Sequence, residues 1–204
     1  MNSWTSDDGV AVILALLVTT LLGAVGVTLL LLSDTERRLS SSYRNDQATR
    51  YAAAAALERA IGDLASSPDW TPILEGAQGS TFADGTRRPI LPSGQSIDLD
   101  RITTQLQAVS NGGASFGANT PVWRLFGWGP LAALEPATNL ESAQYLAVWV
   151  ADDLSETDGS PFSDSNGVLS VHAEAFGLGN GRRSVEATVA RISGLLQIIA
   201  WREN

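Results

Sequence analysis

The chain contains no cysteine and no lysine, and it has a single histidine and a single methionine. Without cysteine there is neither a disulfide framework nor a thiolate metal site. All 13 basic residues are arginine, which removes Schiff-base lysines and the phosphate-loop lysine together. One imidazole, His172, leaves no multi-histidine metal centre. The charge is one-sided, with a net of −9 at pH 7. Its location matters: residues 33–66 balance five arginines with five acids, whereas residues 67–204 carry fifteen acids against eight arginines. An acidic head of this kind repels nucleic acid and anionic headgroups, so no nucleic-acid partner is expected.

What the chain has is a run of 23 uncharged, mostly apolar residues, Val10 to Leu32, free of proline. That length crosses a bilayer core as a helix. No turn signal follows it. The segment Ser33–Leu64 keeps a helical, alanine-rich composition up to Pro68, so one helix is expected to continue from lipid into water. It reads as a rod that anchors a head of about 135 residues, long enough for one packed core. Gly23 and Gly26 lie inside the apolar run with Thr19, Thr20 and Thr28. Such small residues suit close helix packing, a stretch that loosens easily, or ordinary membrane-helix composition. Leu39, Tyr43, Ala52, Ala56, Ile61 and Leu64 can be arranged on one side of the water-side half, as a face that covers a sheet. Ser40–Ser42 is a candidate soft spot.

The first nine residues lack the basic region of a secretory signal, and the apolar run is too long for an ordinary signal core. Arg37, Arg38 and Arg44 follow the run, while Asp7 and Asp8 precede it. By charge alone, the C-terminal side would face the cytoplasm.

Residues 68–121 are rich in glycine, proline, serine and aspartate. A short helix is expected near Leu99–Val109, and a loop over Asn111–Asn119. Strand signals follow at Val122–Trp128, Tyr145–Val150, Val168–Phe176, Ser184–Ile192 and Leu195–Trp201. Gly177–Arg182 reads as a hairpin turn. The expected head is an antiparallel sheet of four or five strands with one face covered by the helix. The fold class is therefore α+β. Trp123, Trp128, Trp149 and Trp201 fall in or beside strands and are expected in the core, with an aromatic ligand platform as a remote alternative.

Two sets of residues suggest chemistry. Asp152, Asp153, Glu156, Asp158, Asp164 and Asn166 gather in one glycine-punctuated loop. Hard oxygen ligands on such a loop suit Ca²⁺, although the spacing does not match an EF-hand. The same residues equally serve a solvated inter-strand loop, where Asp, Asn and Gly build turns. No other cofactor is indicated. Ser170, His172 and Glu174 alternate on one face of a strand. A hydrolase needs a nucleophile on a turn and an oxyanion hole. Neither is visible, so this set is expected to be an exposed strand face, and no catalytic residue is assigned.

A glycine followed at once by a long apolar helix, then by an arginine- and alanine-rich amphipathic stretch and a C-terminal antiparallel sheet, resembles a type IV pilin. The nearest resemblance is to the PilX-type minor pilins. It rests on Gly9-Val-Ala-Val-Ile-Leu-Ala-Leu-Leu17, Glu36-Arg-Arg-Leu39, Tyr43-Arg-Asn-Asp-Gln-Ala48 and Ala53-Ala-Ala-Ala-Leu-Glu-Arg-Ala60. C-terminal likenesses are Val148-Trp-Val-Ala-Asp-Asp153, Asp164-Ser-Asn-Gly-Val168, His172-Ala-Glu-Ala-Phe-Gly177, Val185-Glu-Ala-Thr-Val-Ala-Arg191 and Trp201-Arg-Glu203. The likeness covers roughly 10–66 and 122–203. It implies a leader over residues 1–9, cut by prepilin peptidase between Gly9 and Val10, with methylation of the new amine. It implies a transmembrane half over 10–32, an amphipathic half over 33–66 and a periplasmic head over 67–204. It implies single-pass residence in the inner membrane before assembly, and it decides the orientation against the charge reading. The leader departs from the pattern in carrying Asp7 and Asp8 where such leaders carry basic residues.

A second departure is more informative. Most pilins carry Glu at the fifth mature residue, and here Leu14 stands there. A carboxylate in a bilayer costs several kcal/mol unless paired. In pilins that Glu is thought to meet the terminal amine of an earlier subunit, and a subunit added first has no earlier neighbour. The resemblance therefore implies a minor pilin that primes assembly and sits at the pilus tip, with major and minor pilins bound through the N-terminal helix and a tip adhesin as a further partner. The competing readings are a K-type tip pseudopilin of a type II secretion system, and a membrane-tethered periplasmic binding module that never polymerises.

Overall fold

The structure is a computed structural model that describes residues 7–113, 119–135 and 142–203. The residues before Asp7, including Trp4, and most of the glycine-rich stretch after Gly113 lie outside the described residues. The chain forms two compact units, Met1–Arg44 and Asn45–Asn204.

Helix α1 runs without interruption over Asp7–Ser66. It passes through Gly23, Gly26 and Ser40–Ser42 unbroken. Thr19, Thr20 and Thr28 turn their hydroxyls back onto the carbonyls of Ala15, Leu17 and Ala24, each at 2.9 Å. The apolar run therefore carries no unanswered hydroxyl, which a segment in hydrocarbon requires. Its window of highest hydropathy is long and apolar enough to cross a membrane, and none of it is buried against protein.

The helix ends where Pro68 disfavours helical backbone at the residue before it. Its last carbonyls are answered from outside the helix. Trp70 Nε1 donates to Leu64 O at 2.9 Å. Arg191, from a distant strand, donates to the carbonyls of Ser67 and Pro68 at 2.6 Å each and lays its guanidinium over the Trp70 ring at 4.3 Å. A cation at a helix C-terminus also complements the helix dipole.

After α1 come a single turn of helix, α2 (Thr71–Leu74), and α3 (Leu99–Gly113). Asp98 accepts from the backbone N–H of Arg101 at the start of α3. That helix extends past the expected Val109 through Asn111, Gly112 and Gly113, which were expected in a loop. Five strands follow: β1 (Arg124–Pro130), β2 (Tyr145–Asp152), β3 (Val168–Phe176), β4 (Arg182–Ile192) and β5 (Leu195–Glu203). They pair in chain order, each antiparallel to the next. The expected hairpin over Gly177–Arg182 joins β3 to β4. A two-residue turn with Ser193 and Gly194 both at positive φ joins β4 to β5, as a tight hairpin requires.

α1 covers one face of the sheet, as expected, and α3 packs on the other face over β2. On the first face Leu146, Val148, Val150, Leu169, Val171, Ala173, Ala175, Val185 and Val189 form one cluster with Ala52, Ala53, Ala56, Leu57, Ala60 and Leu64 of α1. On the second, Ala147, Trp149 and Phe176 cluster with Leu99 and Ile102 of α3 and with Leu91 and Ile97 before it. Trp149 Nε1 donates to Thr103 Oγ1 at 2.7 Å and ties α3 down. This explains why β2 is buried along its whole length.

The expected helix stripe is half right. Ala52, Ala56 and Leu64 are buried, but Leu39 and Tyr43 are exposed and Ile61 is only partly covered. The buried stripe runs through Thr49, Ala52, Ala53, Ala56, Leu57, Ala60 and Leu64, the i, i+3, i+4 series of one face. Its first residue sits against a strand end. A Cβ on Gly177 would collide with Thr49 Oγ1, so the position favours glycine. Of the four tryptophans expected in the core, Trp149 is fully buried, Trp123 and Trp128 are partly covered, and Trp201 is exposed on the edge strand β5. Trp70 fills the core instead.

Leu57→Ala removes one of the two large side chains of the α1 seam and is expected to cost about 2–5 kcal/mol of unfolding free energy. Leu39→Ala, on an exposed part of the same helix, is expected to change it by less than about 0.5 kcal/mol. Urea unfolding of the detergent-solubilised chain, followed by tryptophan fluorescence, measures both. Equal losses would contradict the assignment of the stripe.

Candidate functional site

Gly9 and Val10 lie within α1, and both are exposed. Leu14 is 57% exposed, and the large apolar side chains from Val10 to Leu32 are exposed with it. Such an apolar surface is compatible with lipid or with other apolar helices. It holds no charged group.

The acidic loop is more structured than a solvated connection. Asp152 ends β2, and three of the six residues singled out from the sequence are buried: Asp152, Asp153 and Glu156. Asp152 accepts from Asn119 Nδ2 at 2.6 Å and from the Asp153 N–H at 3.0 Å. Asp153 accepts from the Ser155 N–H at 2.9 Å and from Asn166 Nδ2 at 2.7 Å. Glu156 uses Oε1 for the N–H and hydroxyl of Ser165, across the loop. Asp164 accepts from the N–H groups of Gly167 and Val168, and Asn166 accepts from that of Val168. Asp158 is exposed and accepts from the Ser160 N–H.

These bonds divide the six candidates. Asp153, Asp164 and Asn166 are engaged in wiring the loop, as turn-forming Asp and Asn are. Asp152, Glu156 and Asp158 instead bring one carboxylate oxygen each to within 4.8 Å of one another. Glu156 Oε2 is buried, and no donor among the described residues reaches it. No arginine among the described residues lies within ion-pair distance of these three acids. Burial pushes the Asp152 carboxyl up to about 7, and the adjoining Glu156 carboxyl adds to the rise. Burial likewise raises Asp164, against the pull of the two N–H groups it accepts from.

Asn119 was not foreseen as part of this site. It is buried and its side chain bridges to Asp152, 33 residues away. Nothing local in the sequence links the two positions.

The strand set Ser170, His172 and Glu174 corrects the expectation of an exposed face. His172 and Glu174 are buried, the latter 1% exposed. α3 covers this face of the sheet. Glu174 pairs with Arg182 and Glu186 with Arg202. His172 Nδ1 lies 3.2 Å from Glu186 Oε1, and its Nε2 lies 3.9 Å from Glu174 Oε2. The rings of Trp123 and Trp149 stand 6.1 Å and 5.7 Å from the imidazole. Both imidazole nitrogens face carboxylates, which leaves neither for the hydroxyl of Ser170. A cavity of about 320 Å³ lies beside this network, with Ile102, Leu106 and Val109 of α3 on one side and His172, Glu174 and Arg182 on the other. His172, Glu174 and Arg182 on its wall are already engaged with one another or with Glu186.

No family model, no curated protein and no solved structure matches the chain.

The raised Asp152 carboxyl has a stability consequence. Between about pH 4 and 7 the folded chain keeps a proton there that the unfolded chain releases. Stability therefore falls as pH rises through that window, by up to about 1.4 kcal/mol per pH unit. The groups facing this carboxyl are Asp153, Glu156 and Asp158, all acidic. In metal-free buffer, urea unfolding is expected to show wild type weaker at pH 7 than at pH 5. Asp152→Asn, neutral at both, should show a markedly smaller drop. An equal drop in both proteins would place the titration elsewhere.

Proposed function

We propose that this chain is a membrane-anchored assembly subunit of the type IV pilin kind, acting as a minor pilin that primes pilus assembly and stays at or near the tip. One observation carries the reading. A single uninterrupted helix joins an apolar stretch of bilayer length, with its large side chains exposed, to an alanine-rich stripe seated on a five-stranded antiparallel sheet. A helix with those two halves can move its apolar half from lipid into a bundle of like helices while its other half stays folded into the head. The energetic argument is simple. Apolar side chains gain little in exchanging lipid for other apolar helices, so close packing and polar pairing decide assembly.

Leu14 supports the priming role. At the fifth residue after Gly9 it brings no carboxylate to be neutralised by an earlier subunit. The partners in this reading are major and minor pilins through the N-terminal helix, a tip adhesin on the head, prepilin peptidase, and inner-membrane lipid. The head would stand in the periplasm before assembly. Cell adhesion is then a property of the tip complex.

Intact-mass analysis of the protein from membranes and from sheared pili tests this directly. The mature chain is expected to begin at Val10, with its amine methylated, and Gly9→Phe should block cutting. Deleting the protein should lower the number of pili several-fold and leave their diameter unchanged. Leu14→Glu should be tolerated or mildly harmful, because an unpaired acid in lipid is costly. Met1 on the protein in assembled pili, or abundance equal to that of the major subunit along the shaft, would refute the proposal. Detergent extraction as uncut monomers alone would favour the tethered binding module.

A further inference from the structure

The loop between β2 and β3 concentrates buried negative charge that the protein does not balance. Asp152 is wholly buried at the end of β2, and Glu156 is 3% exposed. Burying a carboxylate without a cation costs several kcal/mol, and placing two together adds repulsion. Among the described residues of the head outside this loop, buried or half-buried acids have cationic partners: Glu174 has Arg182, and Glu186 has Arg202.

We propose that Asp152, Glu156 and Asp158 bind one calcium ion, which fastens the start of the β2–β3 loop to the end of β2. Two independent observations meet here. The first is the convergence of three carboxylate oxygens within 4.8 Å of one another. The second is Glu156 Oε2, a buried acceptor to which no N–H or hydroxyl among the described residues donates, its neighbour being the Asp152 carboxyl. Its sister oxygen is engaged by Ser165, which holds the carboxylate in place. Asp152 keeps coordinating capacity, because each of its oxygens accepts one hydrogen bond and carries a second lone pair. Asp158 contributes from the solvent side and gives the ion a way in.

The donor set decides the ion. All three donors are hard oxygens, which excludes metals that prefer nitrogen or sulfur. Calcium takes oxygens at about 2.3–2.6 Å, so ligands across its sphere lie about 4.6–5.2 Å apart. Three oxygens within 4.8 Å of one another are compatible with that sphere. Magnesium demands about 2.0–2.1 Å and near-ideal octahedral geometry and gives up its waters reluctantly, whereas calcium tolerates an irregular set of carboxylates. The loop residues Pro161 and Gly159, and the wiring by Asp153, Asp164 and Asn166, shape the loop without joining the ion. This site lies in the head and does not rest on the pilin reading.

The test uses the full chain in detergent micelles at pH 7.5. Calorimetric titration with CaCl₂ should show one site per chain. Millimolar CaCl₂ should raise the melting temperature by several degrees over EDTA, because a ligand of the folded state adds stability by mass action. MgCl₂ at equal concentration should give less than half that shift. Asp158→Asn removes one of the three facing carboxylates from the exposed side, so it should melt no lower than wild type in EDTA while its calcium affinity falls at least tenfold. Glu156→Gln should melt higher than wild type in EDTA, by relief of repulsion, and lose the calcium shift. Asp100→Asn, an exposed acid on α3, should keep the full response. A flat titration with identical melting in CaCl₂ and EDTA would overturn the proposal and leave Asp152 and Glu156 as an acid pair sharing a proton. An undiminished response in Asp158→Asn would also overturn it, as would an equal response to MgCl₂.

Discussion

The alanine seam of α1 is the contact on which the rest of this head depends. Ala52, Ala53, Ala56 and Ala60 present a nearly flat helix face to the sheet, with Leu57 and Leu64 as the two large side chains along it. Small residues let a helix approach closely, and the valines and alanines of β3 and β4 offer a shallow surface in return. Alanine is also the best helix former, so the face that packs is the face most ready to be helical. The sheet cannot stand without this cover, since its first face is almost wholly apolar. Once that face is seated, the second is free to receive α3, and β2 is buried along its whole length.

Arginine does the long-range fastening. In a chain without lysine, each planar guanidinium can donate several bonds at once. Arg191 reaches from β4 to the end of α1 and covers Trp70 at the same time. Arg182 and Arg202 neutralise the acids beneath and beside α3. Arg183 and Arg50 join the middle of α1 to β4 and β5 through Asp46 and Glu203. Such exposed pairs contribute little singly, but together they orient the helix on the sheet. Against this pattern the β2–β3 loop stands out, because Asp152, Glu156 and Asp158 converge on one another and no arginine among the described residues lies within ion-pair distance of them.

The cluster also shows how burial changes the meaning of a sequence motif. Six oxygen-bearing residues in one loop suggested one shared role. In the folded chain they divide by what they accept. Three close turns by accepting backbone or amide N–H groups, and three face each other. Asn119 joins them from a distant segment, and its donated bond holds the Asp152 carboxyl in its buried position.

The long helix, the strands, their antiparallel pairing and the Gly177–Arg182 hairpin were legible from the sequence because each rests on local physics. An apolar run without proline, alternation along a strand, and glycine at a tight turn act over a few residues. The exposure of Val10 to Leu32 followed from composition in the same way. What only the tertiary structure decided was which of these surfaces became interior. The buried stripe of α1 excludes Leu39 and Tyr43, and alternation on β3 could not reveal that α3 would cover His172 and Glu174. Trp201 is exposed because its strand ended at the edge of the sheet, a position set by the order of all five strands. Burial, and with it the raised Asp152 carboxyl and the convergence with Glu156 and Asp158, depends on segments far apart in the chain. No local pattern encodes the dielectric surroundings that distant segments create.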